Sequence, residues 1–255
     1  MDKTIKIIID RDKCDGCGLC AADCLRGVIE TRDGKAAVTS DDCLKCGHCL
    51  AVCPKNAVRM DGVEDEIIEK TEAGKTLDAD ILKAHLKLRR SVRRYQKKPV
   101  ERATLEKIIE AGRLTPTGSN SQNVRYIVVQ SGIDALEDEI IEQYKSSGDK
   151  FAISRRYDLK RGFLFHGAPA LLLVVSENDV NACLASMSME LMAEALGLGA
   201  LYVGLFTRPA NQNEALRRSL GIQKAENIAV CLAVGYPDVT YLRSAPKKPA
   251  KVVWR

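Results

Sequence analysis

The sequence lacks any apolar run long enough to cross a bilayer, so no membrane-spanning segment is expected. Met1 to Asp10 carries charge and has no apolar stretch ending at a small-residue cleavage site, so no secretory leader is expected either. Net charge is low, +5 over 255 residues, and no helix-turn-helix pattern accompanies the short basic runs; a nucleic-acid partner is not indicated. Histidine is scarce: His48, His85 and His166 show no ligand spacing. Two phosphate-binding signatures are also missing. Gly197-Leu198-Gly199 has no third glycine three residues on and closes a helical stretch, where a dinucleotide fingerprint would open one. Gly74-Lys75-Thr76 lacks the glycine five residues earlier that a P-loop needs.

Cysteine, by contrast, is abundant. Eight of ten fall into two copies of one spacing, Cys14-x₂-Cys17-x₂-Cys20-x₃-Cys24 and Cys43-x₂-Cys46-x₂-Cys49-x₃-Cys53, with Pro54 after the second. Three thiolates from a tight loop plus a fourth from elsewhere suit a cubane, and the doubled run is the signature of two four-iron, four-sulfur (4Fe-4S) clusters. Because the last cysteine of such a run ligates the other cluster, Cys14, Cys17, Cys20 and Cys53 are assigned to one, and Cys43, Cys46, Cys49 and Cys24 to its partner. Zinc sites use two short pairs split by a longer stretch, and disulfides need an oxidising compartment, so neither fits. Leu25 stands where the usual run has proline. Thiolates bound to iron leave each oxidised cluster site negative, which further weakens the case for a polyanion partner. A reducing, thiol-rich chain points to the cytoplasm of an organism that meets little oxygen. Cys183 and Cys231 lie in apolar segments and read as buried small hydrophobes.

The composition is otherwise globular, 45% apolar and 29% charged, and the length exceeds one typical domain. Residues 1–60 read as a strand (Ile5 to Ile9), a cluster loop, a hairpin through Asp33-Gly34 and a second cluster loop. Each cysteine run precedes a small apolar segment, Gly27-Val28-Ile29 or Ala57-Val58, a repeat that resembles a bacterial-type two-cluster ferredoxin. Residues 61–80 are acidic and turn-prone, and read as a linker that carries at most a helical turn. From Asp80 the period becomes helical: Ile81, Leu82, His85, Leu86 and Leu88, then Leu105, Ile108, Ile109 and Gly112 after Pro99. A turn-rich loop, Thr115 to Asn123, leads to a buried strand, Tyr126 to Val129. A helix (Ala135 to Tyr144), a polar stretch (Ser146 to Phe165) and a strand (Ala170 to Val175) follow. Next come a helix (Asn181 to Leu198) whose Met187, Met189 and Met192 suit packing, a strand (Ala200 to Phe206), a helix (Asn211 to Leu220) and a strand (Ile228 to Val234). The basic tail is too apolar at Val252-Val253-Trp254 to be free, and is expected to pack.

The first helix ends in Arg89-Arg90-Ser91-Val92-Arg93-Arg94, a cationic run with a hydroxyl inside it. Such a run is either a solvated face or a phosphate site, since guanidinium forks match phosphate oxygens. The loop Thr115 to Asn123 is either an Asx-rich turn or a set of donors for the edge of a planar heterocycle. In this order and separation the two segments, with Leu196-Gly197-Leu198-Gly199 and Gly235-Tyr236-Pro237, resemble the nitroreductase family of flavoproteins over Asp80 to Arg255.

That resemblance implies FMN bound at a homodimer interface in a three-layer α/β/α sandwich, so the whole chain is expected to be α+β: a two-cluster module (1–60), a linker (61–80) and an FMN-binding domain (81–255). Carried over by position, Arg89 and Ser91 would hold the FMN phosphate, with Arg90 nearby. Arg93 would face the pyrimidine edge, and Pro116, Thr117, Gly118, Asn120 and Gln122 the ring and ribityl chain. Tyr202-Val203-Gly204 would place a backbone amide at flavin N5, and Lys247 or Lys248 would add a phosphate contact. Asn123-Val124 departs from the proline and aromatic often found there. The implied activity is transfer of electrons from the clusters to FMN and on to a small organic acceptor such as a nitroaromatic, quinone or activated alkene. The flavin does the chemistry, so no protein acid or nucleophile is required. Ferredoxin, flavodoxin or NAD(P)H could be the donor. An NAD(P)H-driven ping-pong enzyme and a non-catalytic electron-transfer subunit are the competing readings.

Overall fold

The computed structural model describes residues 5–63, 65–69, 77–146 and 157–255. Outside them lie Met1 to Thr4 of the leader reading, parts of the linker with Gly74-Lys75-Thr76, and residues 147–156 of the polar stretch. The chain divides into two units: one takes residues up to 76 and Gly118–Ser121, the other Leu77–Thr117 and Gln122–Arg255.

In the first unit β1 (Lys6–Ile9) pairs antiparallel with β4 (Val58–Asp61), and β2 (Ile29–Arg32) forms a hairpin with β3 (Lys35–Val38). Asp33 and Gly34 join that hairpin with φ of 50° and 67°, the double left-handed conformation of a type I′ turn. Helices α1 (Leu19–Ala22) and α2 (His48–Ala51) have four residues each and start after a left-handed glycine, Gly18 or Gly47. The repeat read from the cysteines is therefore also a backbone repeat. Its core is small: Val28, Ile29, Ala36, Ala57 and Val58 pack with Cys14, Cys20 and Cys49.

The second unit carries α3 (Ala79–Leu88), α4 (Arg102–Arg113), β5 (Arg125–Val129), α5 (Ile133–Ser146), β6 (Ala170–Ser176) and α6 (Asp179–Ala195). Then come β7 (Gly199–Tyr202), α7 (Gly204–Gln212), α8 (Glu214–Ser219) and β8 (Asn227–Gly235). The sheet order is β5-β6-β8-β7, every pair antiparallel. All seven residues of β6 are buried, and strand alternation divides them between two cores. Leu171, Leu173 and Val175 face Ile140 of α5 and Phe206 of α7, while Leu172 and Val174 face Ile108 of α4 and Met189 of α6. A sheet covered on both faces gives the α/β/α sandwich. Gly112 lets α4 and α6 approach, since a Cβ there would meet Met189 Cγ at 2.9 Å.

Several expectations need correction. The segment from Tyr126 is an edge strand, only partly buried, because β6 covers one side alone. The strand expected to reach Phe206 stops at Tyr202; Val203 gives its N–H to Cys231 O at 2.8 Å and the chain turns into α7. The helix expected over Asn211 to Leu220 breaks at Asn213, whose extended backbone lets its Oδ1 accept from Leu216 N at 3.0 Å and cap α8. Pro209 sits inside α7 without an N–H to offer Leu205 O, and the Tyr144 hydroxyl donates there instead at 2.7 Å. The apolar face of α3 is not buried in this chain, and Val252 to Trp254 stay exposed, so the tail does not pack on its own chain. Cys231 is buried as expected, but Cys183 faces outward from α6.

Candidate functional site

In the first unit α1 and α2 carry Cys20 and Cys49 inward, and both are buried with Cys14, while Cys17 and Cys46 are exposed. One cavity is bordered by Cys24 from the first run and by Cys43, Cys46 and Cys49 from the second, the crossed set that the spacing assigns to one cluster. Burial pushes the Cys49 thiol up to about 11, with Cys43 and Cys46 adding their charge. Cys20 is raised by burial first, then by Cys14 and Cys53, which belong to the other crossed set. Iron bound at such thiols would favour the thiolate instead. Backbone N–H groups already aim at sulfur: Ala36 at Cys14 Sγ (3.4 Å), Lys45 at Cys43 Sγ (3.3 Å) and Ala57 at Cys53 Sγ (3.3 Å). Donors of this kind tune cluster potentials. Among the described residues no three His, Cys, Asp or Glu groups are placed to share a single metal ion; thiolates around a four-iron cube stand wider apart than that. All-sulfur donors, crossed grouping and waiting amides fit iron–sulfur clusters.

Two of the residues expected at the flavin, Gly118 and Asn120, fall in the first unit. The Asn120 amide donates to Leu44 O and Lys45 O, both at 3.0 Å, so its donor is engaged by backbone. Ser119, Asn120 and Gln122 all have φ near 50°, costly for side chains other than glycine. Pro116 and Gln122 are exposed and Thr117 is half-buried, with its hydroxyl accepting from Gln122 N at 3.0 Å. A cavity of about 570 Å³ against β1 and β4 contains none of the expected site residues.

In the second unit the arginine run is tied to β7. Ser91 bridges to Ala200, and Val92 N donates to Ala200 O at 3.0 Å. Gly199 makes this possible, since a Cβ there would collide with Val92. The tie divides the expected residues between two cavities. One, about 320 Å³, is lined by Arg89, Arg90, Glu190, Glu194 and Ala200. The other, about 410 Å³, is lined by Arg93, Phe163, His166, Tyr202, Val203 and Gly204. Val203 spends its N–H on Cys231 O, whereas Gly204 opens α7, where the first N–H groups have no acceptor inside the helix. Gly204 is exposed and is therefore the amide free for a ligand. Arg93 and a helix N-terminus on one cavity suit the electron-rich edge of a flavin ring. These residues fit FMN. Lys247 and Lys248 stay exposed on the irregular tail and line neither cavity.

Three neighbours were not foreseen. Glu190, on α6, is buried and accepts from Arg89 Nη1 at 2.8 Å. Glu194, one turn on, has a buried Oε2 without a partner, and burial raises its pKa. His166, at φ 53°, has its pKa lowered by burial and by Arg93. A charge within the apolar run Met189-Glu190-Leu191-Met192 was the visible signal for Glu190; for His166 there was none.

The Nitroreductase family model matches residues 86–236, and a 4Fe-4S dicluster domain model matches residues 6–54. A protein of Archaeoglobus fulgidus assigned the name NADH dehydrogenase/NAD(P)H nitroreductase is 29% identical over 153 residues, 58% of this chain and 81% of its own. A protein of the same assigned name from Methanothermobacter thermautotrophicus is 26% identical over 173 residues, 64% of this chain and 81% of its own. The crystal structure of a nitroreductase with bound FMN from Bacteroides fragilis superimposes with a TM-score of 0.61 at 24% identity, over 69% of this chain and 99% of that one, a likeness of fold.

Proposed function

Because the chain belongs to the nitroreductase family and carries a 4Fe-4S dicluster ferredoxin domain ahead of the family domain, we propose that this flavin oxidoreductase feeds electrons from two clusters through FMN to a small organic acceptor. FMN, when bound, supplies the exchange between one- and two-electron transfer that no side chain can. The residues hold and tune. Arg89, Arg90 and Ser91 would hold the phosphate, Arg93 would place a cation at the pyrimidine edge, and the Gly204 N–H would meet N5. The observation that supports this reading most directly is the single cavity on which Arg93 and the free N-terminus of α7 both open. A nitroaromatic, a quinone or an activated alkene would be the acceptor, and the exposed apolar face of α3 suits a homodimer. The setting would be the cytoplasm.

An NAD(P)H-driven cycle is the second reading, favoured by the assigned names of the two archaeal relatives. Stopped-flow mixing separates the two: fast flavin bleaching by NADH or NADPH alone would displace the cluster-fed route. The first test is an anaerobic absorption spectrum with iron, sulfide and flavin counts, expected at about eight iron atoms and about one FMN per chain. Arg89→Ala is expected to weaken FMN retention while iron content stays intact. A chain without flavin would overturn the assignment of the arginine run and of α7.

A further inference from the structure

Two carboxylates are buried among the described residues, Glu137 and Glu190. Glu137 serves the fold, accepting N–H groups from Gly162 (2.7 Å), Leu164 (2.6 Å) and Phe165 (3.1 Å) and so fixing the loop before β6. Glu190 does nothing of that kind. Its partner is the side chain of Arg89, at 2.8 Å, with the two side chains 4% and 23% exposed. Burial first, and then the charge of the same carboxylate, raise the pKa of the Tyr202 phenol at the end of β7. On α6 its buried neighbours are Met189 and Ala193, with Ser186 one turn before it and the partly buried Glu194 one turn after. An ionised carboxylate in such surroundings is costly, and aliphatic packing would join α3 to α6 at least as well. A role beyond attachment is therefore indicated.

Resting on the reading of Arg89 as a phosphate ligand, we propose that Glu190 is a positioning residue of the flavin site: it holds Arg89 in place before FMN arrives. Arg89 has five N–H donors in a rigid fork, and spending one on Glu190 leaves the others for the cavity that Arg89 lines. An arginine already fixed loses little rotamer freedom when it meets an anion, which is where preorganisation gains affinity.

The test compares FMN with riboflavin, which lacks the phosphate, on the full chain holding its iron. Dissociation constants from flavin fluorescence quenching are measured for the wild type, Glu190→Ala, Glu190→Gln, Arg89→Ala and the Arg89→Ala/Glu190→Ala double variant. Glu190→Ala is expected to weaken FMN about tenfold and leave riboflavin within about twofold. Glu190→Gln, which keeps a hydrogen-bond acceptor, should restore most of the loss, and the substitution should add nothing on the Arg89→Ala background. Parallel weakening of FMN and riboflavin would reduce Glu190 to a structural strut and overturn the proposal. Unchanged or tighter FMN binding in Glu190→Ala would overturn it too, by showing that the carboxylate only competes with the phosphate. A wild type that binds neither flavin would instead overturn the assignment of Arg89 itself.

Discussion

In the second unit β6 buries every one of its seven residues between two layers of helices, whereas in the first unit three of the eight residues that form the core are cysteines. At about 1.5–3 kcal/mol for each large side chain buried, β6 and β8 alone supply a driving force that the first unit's Val28, Ile29, Val58 and five alanine or cysteine neighbours cannot approach. Its helices, at four residues, are too short to hold themselves. The difference teaches that the cysteines of the first unit are part of its fold as well as its chemistry. The second unit draws its fold from two apolar layers on one sheet, and its site is laid on that sandwich.

The sharpest way to break this contrast is to remove iron. Cys49→Ser, or chelation under anaerobic reducing conditions, is expected to abolish amide-exchange protection in β1, β2, β3 and β4 while β6 and β8 keep theirs. Metal binding in such units is folding free energy, so the effect is total for one unit and negligible for the other. Retained protection in β1 and β4 without iron would show that the small apolar core suffices, and the comparison would fail.

A second test lies inside the first unit, where the repeat allows a controlled pair. Gly16 and Lys45 occupy the same place in the two cysteine runs, and both are left-handed, at φ of 75° and 54°. A Cβ at Gly16 would come within 2.0 Å of Gly34 O, at the turn of the hairpin, and would also meet the left-handed penalty. Gly16→Ala is therefore expected to cost at least about 2 kcal/mol, read as an earlier iron-loss midpoint in denaturant. Lys45→Gly relieves the same backbone cost without any collision and should shift the midpoint the other way, by at most about 1 kcal/mol. Equal and same-signed shifts would show that the two halves are not held by the same geometry.

What could be read from the residues divides along the same line. Cluster ligands announce themselves because a cubane needs fixed residue types at fixed spacing, and Asp33-Gly34 marks a turn by local chemistry alone. The strands of β6 and β8 were legible because complete burial leaves an unbroken apolar run. The end of β7 was not, because Val203 to Phe206 is as apolar as a strand; its pairing ends with the Val203 N–H bonded to Cys231 O, and the chain then turns into α7. The split at Asn213 was hidden for a related reason, since a cap and a helix interior differ by one side-chain acceptor. Glu190 and His166 were missed because their meaning comes from residues about a hundred and about seventy positions away, Arg89 and Arg93, brought close only by the sandwich. Asn120 was placed at the flavin by resemblance alone; that its amide gives hydrogen bonds to two carbonyls of the first unit depends on tertiary context no local pattern carries.

The smallest expected effect concerns charge at the margin of the sandwich. Arg125, at the start of β5, grips Glu226 with two donors, at 3.0 and 2.6 Å, and Gln223 N adds a third hydrogen bond to the carboxylate at 2.8 Å. The Arg125 hydrogen bond holds the Glu226 carboxyl below its ordinary range, outweighing the desolvation that would raise it. A depressed folded-state pKa means stability that is fully present above the unfolded value of about 4.3 and lost as pH falls through the folded one. Arg125 is 43% exposed, so solvent screening limits the pair to about 0.5–1 kcal/mol. Glu226→Gln should accordingly lower the stability of the second unit by that amount at neutral pH, read from exchange of β8 amides. The deficit should shrink as pH falls through the lowered folded-state value, where the wild-type carboxyl itself becomes protonated. A deficit that persists unchanged into acid would mean that the glutamine disturbs packing around Gln223, and that charge contributes nothing at this edge. Either way the change stays small beside the loss of iron, because the second unit owes its stability to apolar layers that do not titrate.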